Sequence, residues 1–226
     1  PCIFIPKGRN RIMEKSLIAA LLALNITGCA THATIDQPTL PQVTKTAWSS
    51  KTLNYKILFS QPEPGLIGGG EQQAMLPLKD AKLSIGSKIV MKDLPAELEK
   101  QMPAGIKLIS DDGSDYGLEI RITAHNKKGP VYPDHQFLAS FAKNLFMFGL
   151  GPQDFELVAD FDAEYTLTNK SGERYAKAFT VSDRVEHQKG LFEGAFSPNE
   201  YAAQLMRKHM ALTLNDFLKQ AADKVN

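Results

Sequence analysis

Alternation of apolar and polar side chains is clearest in the second half of the chain. Tyr116, Leu118, Ile120, Ile122 and Ala124 share one parity, while Glu119, Arg121, Thr123 and His125 take the other, with small Gly117 among them. That is the period of a strand buried on one face. From Phe155 to Leu167 the odd positions are Phe, Leu, Ala, Phe, Ala, Tyr and Leu, and the even ones include Glu156, Asp160, Asp162 and Glu164. This predicts a half-buried antiparallel strand. Tyr175, Phe179 and Val181 continue the odd parity beyond Asn169-Lys170-Ser171-Gly172. Odd must then face odd across a hairpin, so the loop holds an odd number of residues. Lys170-Ser171-Gly172 fits, with glycine in the left-handed position.

The rest of the pattern is mixed. Tyr55, Ile57 and Phe59 mark a short strand, Gln61–Gly70 a loop, and Lys82–Met91 a second extended segment. Asp93 followed by Leu94-Pro95 predicts a short helix that stops by Pro103, and Ile106–Ile109 reads as a strand before an Asp111–Asp115 turn. Ser197-Pro198-Asn199-Glu200 has the form of a capping box with proline at the first helical position. Behind it Ala203, Met206, Met210, Leu214, Phe217, Leu218, Ala221 and Val225 share one face, opposite Lys208, Asn215, Asp216 and Lys219. The expected fold class is α+β: a mostly antiparallel sheet of three to five strands, helices covering one face, and a C-terminal amphipathic helix.

Residues 137–150 break the amphipathic rule. They read FLASFAKNLFMFGL, four phenylalanines against one charge, Lys143. On a helix Phe137, Phe141, Leu145 and Phe148 fall on one face, but the stretch is too short to cross a bilayer. It is either a helix buried on the sheet or an exposed element that meets a partner or the lipid interface.

The amino terminus carries an address. Met13, Glu14 and Lys15 precede the apolar run 17–24, and Ile26-Thr27-Gly28-Cys29 follows. This is the layout of a secretory signal, with residues 1–12 a misassigned or untranslated extension. Ile26-Thr27-Gly28-Cys29 resembles the lipobox of bacterial lipoproteins. The resemblance implies cleavage between Gly28 and Cys29, lipidation of Cys29 with three acyl chains such as palmitate, and attachment to membrane through that lipid. Ala30 is not the aspartate that holds such proteins at the inner membrane, so the resemblance implies the periplasmic face of the outer membrane. Threonine-rich 29–50, with Pro38 and Pro41, then reads as a tether, and 51–226 as one periplasmic domain. Within 115–190 the chain loosely resembles small uncharacterised proteobacterial lipoproteins. Its layout is similar to that of auxiliary lipoproteins of envelope transport and assembly machines.

Charge and candidate chemistry narrow the function little further. The 26 basic and 25 acidic residues give +1, with no electrostatic case for nucleic acid. Losing Lys7, Arg9, Arg11 and Lys15 with Glu14 leaves 22 basic and 24 acidic residues in 198, near −2. His32, His125, His135, His187 and His209 show no metal-ligand spacing, and Asp134-His135 is as readily a helix cap as half of a catalytic pair. Asp111–Asp115 lacks the twelfth-position glutamate of a calcium loop, and Gly68–Gly70 lacks the lysine of a phosphate loop. The acidic row Glu156, Asp160, Asp162 and Glu164 is expected to be relieved by Arg174 and Arg184. No catalytic set, metal or cofactor is expected, and the chain reads as a non-enzymatic accessory or interaction protein of the envelope, the alternatives being an auxiliary subunit of an envelope transport or assembly machine and, behind it, a periplasmic enzyme acting on cell-wall material. A protein partner would be met through 137–150.

Overall fold

Seven strands form one mixed sheet, and a long helix lies across one of its faces. The computed structural model describes residues 32–64, 70–111, 113–137, 140–141, 145, 153–190 and 193–225. In chain order these give β1 (Thr52–Ser60), β2 (Leu76–Pro77), α1 (Ile85–Met91), α2 (Leu94–Glu99), β3 (Lys107–Leu108), β4 (Tyr116–Ala124), β5 (Val131–His135), β6 (Gln153–Asn169), β7 (Arg174–Lys189) and α3 (Ser197–Ala221).

Seven strands exceed the expected three to five because short strands share columns. β6 is 17 residues long, and β7 pairs with it from Gln153 to Thr168. β4 takes Phe161–Asn169 and β5 takes Phe155–Ala159, so both lie end to end along the other edge of β6. β1 runs parallel to β4, while β2 and β3 each touch two residues of its outer edge. Most pairings are antiparallel, and both parallel ones involve β1.

The hairpin forms as its parity requires. Leu167 faces Tyr175 and Tyr165 faces Lys177. Gly172 at φ 86° returns its N–H to Asn169 O over 3.0 Å, closing the loop 170–172.

The core lies between the odd face of β6 and β7 and the apolar side of α3. Tyr165 and Tyr175 stack on Phe217 with centroids at 5.3 and 5.5 Å. The buried Tyr165 hydroxyl is within 2.7 Å of Thr213 Oγ1. All eight residues expected on the inner helix face are buried.

Three local expectations fail for physical reasons. Lys82–Met91 is not extended: Ser84 Oγ accepts from the Ser87 N–H and starts α1. The capping box is not realised, because α3 begins one residue early, with Phe196 at the N-cap position and Pro198 in the first turn. Ser197 instead donates its hydroxyl to Glu193 over 3.2 Å. Asp134 caps no helix; it lies in β5 and binds Lys128 at 2.6 Å.

The largest departure concerns the tether. From His32 to Ser50 the chain lies along the body instead of hanging free. Gln37 donates to Gln204 O at 2.8 Å, Asn215 to Pro41 O at 2.9 Å and Ala104 N–H to Val43 O at 3.0 Å. Ala33, Val43 and Trp48 are buried, and Trp48 meets Tyr116 edge-on at 6.0 Å. This explains why Asn215, expected on the wet side of the helix, is buried: the incoming segment covers it.

Candidate functional site

The site is built where this N-terminal segment first reaches the sheet. β7 presents its odd positions inward, and His187 is the last residue of the strand that is buried, near the end of the sheet. Its Nδ1 accepts the Ala33 N–H over 3.2 Å. That bond requires an unprotonated Nδ1. Burial, the largest influence, holds the imidazole below its ordinary pKa; nearby His32 acts the same way and Glu193 opposes them. Glu193 binds His32 at 2.7 Å and stands 3.6 Å from His187 Nε2, while Tyr201 packs on the ring at 4.4 Å.

From His187 the same end of the sheet leads to the phenylalanines. Phe155 is the register partner of both His187 and His135. The His135 ring meets Phe155 at 5.0 Å and Phe137 at 6.3 Å, and Phe137 stacks on Phe141 at 6.1 Å. The chain leaves β5 at Gln136, whose N–H donates to Asp154 O at 2.9 Å, and turns into helix. Buried Ser140 fixes that turn by accepting the Asp154 N–H at 2.9 Å. Phe137, Phe141 and Leu145 are then 66%, 59% and 68% exposed, a stripe of large apolar side chains at i, i+4 and i+8. Phe196, 60% exposed at the start of α3, belongs to the same end of the molecule. Gly28, Cys29 and Phe148 lie outside the described residues.

The opposite, polar face of the sheet is an ion-pair lattice. His125 binds Asp160 at 2.7 Å and Asp162 at 3.1 Å, and Thr180 donates to Asp162 at 2.8 Å. Burial opposes charge on His125, but the two carboxylates outweigh it and raise its pKa. Arg184 meets Glu156 at 2.7 Å as expected. Arg174 does not join the acidic row; it reaches Thr166 Oγ1 at 3.5 Å, and Glu164 has Arg121 of β4 at 3.8 Å instead. The reason is register: Arg174 faces Thr168, four residues beyond Glu164.

At the far end Asp115 accepts the Thr52 N–H and hydroxyl, each at 2.8 Å, and Lys170 stands at 3.2 Å. These hold its carboxyl down at about 2, the backbone bond contributing most. His209 pairs with Asp183 at 2.9 Å and ties α3 to β7, while burial lowers its pKa. Among the described residues no group of three or more metal-ligating side chains converges, and no helix is long and apolar enough to cross a membrane.

Sequence reasoning identified the phenylalanines but missed their relation to His187. The available signal was parity: position 187 continues the inward series of Phe179, Val181 and Val185, which puts a histidine on a buried face.

No family model matches the chain, and no curated protein matches its sequence. Several solved structures resemble it distantly. A Xanthomonas campestris protein of the family DUF330 is 14% identical over 84% of this chain and 98% of its own, with a TM-score of 0.37. A minor lipoprotein from Acinetobacter baumannii is 12% identical over 78% and 91%, with a TM-score of 0.33. A Helicobacter pylori protein provisionally described as a neuraminyllactose-binding hemagglutinin homologue is 10% identical over 85% and 97%, with a TM-score of 0.41. At such low identity and score these likenesses carry no inference about function.

Proposed function

We propose that the chain is a lipoprotein of the bacterial envelope, cleaved after Gly28, acylated at Cys29 and held on the periplasmic face of the outer membrane. Its α+β domain is a non-enzymatic accessory or interaction unit that rests on the membrane through its apolar end. One observation carries this reading. The segment arriving from Cys29 is pinned at Ala33, at the same end of the sheet as exposed Phe137, Phe141 and Leu145. Cys29 precedes Ala33 by four residues, so its Cα stands within roughly 14 Å of it. An acyl chain on Cys29 therefore brings that end to the bilayer surface. Each phenylalanine moved from water into lipid adds about 1.5–3 kcal/mol.

A second reading keeps the anchor and changes the partner. The Phe137, Phe141, Leu145 stripe has the i, i+4, i+8 spacing of a helix that fills a groove on another protein, as an auxiliary subunit of an envelope transport or assembly machine would.

Palmitate labelling with membrane fractionation tests the anchor. The native chain takes up label and sediments with membrane, whereas Cys29→Ser loses both; unlabelled protein that still sediments contradicts lipidation. A photo-crosslinker at position 141 separates the partners. Lipid adducts support the first reading and a single protein adduct the second.

A further inference from the structure

The outer edge of β1 is interrupted. β2 pairs only with Leu58 and Phe59, and β3 only with Thr52 and Leu53. Leu78 N–H donates to Ile57 O at 2.9 Å and Ile109 N–H to Leu53 O at 3.0 Å, so the odd residues of β1 turn their backbone groups to this edge. Tyr55 lies between them, at a position of this edge that neither β2 nor β3 covers. Beside it, between the sheet edge and α1–α2, opens a groove of about 900 Å³. Its floor includes Ile57, Leu78, Leu83, Met91, Pro95 and Leu108. The size and apolar lining are those of a small-molecule site.

The groove's polar rim is one-sided. Lys79, Lys88 and Lys92 line it, the last two one helical turn apart. Among the described residues none of the three has a carboxylate within ion-pair distance. Lys56 is already paired with Glu119 at 2.7 Å. The only carboxylate in the lining, Glu99, accepts the Tyr55 hydroxyl at 2.5 Å.

We propose that this groove binds a single-chain anionic amphiphile, a fatty-acid carboxylate, with its alkyl chain on the apolar floor and its head among Lys79, Lys88 and Lys92. Charge complementarity selects the head: three unpaired ammonium groups surround an opening whose one acid is already hydrogen-bonded. Edge geometry rejects an extended peptide. A strand added to β1 needs a run of outward N–H and C=O groups, and β2 and β3 leave it only those of Tyr55. The proposal does not depend on lipidation of Cys29.

Titration calorimetry of the full chain carrying Cys29→Ser, with dodecanoate below its micelle concentration, tests this. The expected result is saturable one-to-one binding, weakened about tenfold or more by Lys88→Glu with Lys92→Glu. Lys208→Glu with Lys219→Glu, on α3, leaves the affinity unchanged and separates groove binding from uptake by the apolar leader. Both lysines of the test pair are exposed, so the double variant is expected to fold, which circular dichroism checks before titration. Absence of saturable binding overturns the proposal, as does equal affinity in the two charge-reversed pairs. So does equally tight binding of dodecyltrimethylammonium. Displacement of dodecanoate by hexaglutamate at similar concentration also overturns it, in favour of an acidic peptide.

Discussion

The backbone N–H of Ala33 donates to Nδ1 of His187, 154 positions further along the chain, over 3.2 Å. This one bond fixes where the N-terminal segment enters the fold. It also makes the entry sensitive to protons, because a protonated Nδ1 is a donor and cannot accept. Folding favours the neutral ring and lowers its pKa. The stability it contributes is therefore full above the unfolded value near 6.5 and is lost as the pH falls from there toward the lowered folded value. Urea denaturation between pH 8 and 5 checks this: stability falls on acidification, and His187→Ala removes that part of the dependence. The substitution itself costs about 1–3 kcal/mol by leaving the Ala33 N–H unpaired.

His125 is expected to behave in the opposite sense. Burial disfavours its charge, but Asp160 and Asp162 together outweigh that and raise its pKa. Its contribution is present below about 6.5 and is lost as the pH rises through the raised folded value. In a proton NMR titration His125 should titrate above His187. Asp160→Asn with Asp162→Asn should bring His125 down, and an unmoved His125 would show that the clamp does not form in solution.

Replacing both Phe137 and Phe141 by aspartate should leave the fold intact, within about 0.5 kcal/mol, because both side chains stand in water. Phe161→Asp should unfold the protein, since that ring is wholly buried between sheet and helix. Thermal melts of the two variants distinguish a surface stripe from a core; a collapsed melting temperature for the first pair would place those rings inside.

Trp48→Ala should destabilise the chain by about 3–5 kcal/mol, although the residue lies in a stretch that composition alone marks as a linker. Guanidinium denaturation followed by circular dichroism checks it. A loss below about 0.5 kcal/mol, the size of an ordinary surface change, would mean that residues 32–50 are a free tether after all.

That contrast shows what the sequence made legible. The parity of β4 and β6 and the three-residue hairpin follow from alternation, which is local and strong. The docking of 32–50 is nearly invisible: its buried apolar anchors, Ala33, Val43 and Trp48, are widely spaced, and its other contacts are scattered hydrogen bonds, some from the backbone and some from side chains such as Gln37 and Gln42, that follow no period. The two strands that the pattern hides are β2, two residues long and too short for a period, and β5, whose five residues include Pro133 and Asp134. Helix α1 reads as extended because Ile89 and Val90 are β-branched and Gly86 is a poor helix former, yet the Ser84 cap decides it. For the site, composition marked the phenylalanines, but only the end-to-end stacking of β4 and β5 along β6 put them beside the point where the chain enters.

The proposed function requires that this end of the molecule touch lipid. Fluorescence of the full lipidated chain carrying Phe141→Trp, in vesicles with and without brominated phosphatidylcholine, tests it directly. Trp48, buried beside Tyr116 at the opposite end, serves as the internal control. The indole introduced at position 141 should be strongly quenched by brominated lipid and Trp48 should not. Protein that floats with the vesicles while position 141 stays unquenched would contradict the account.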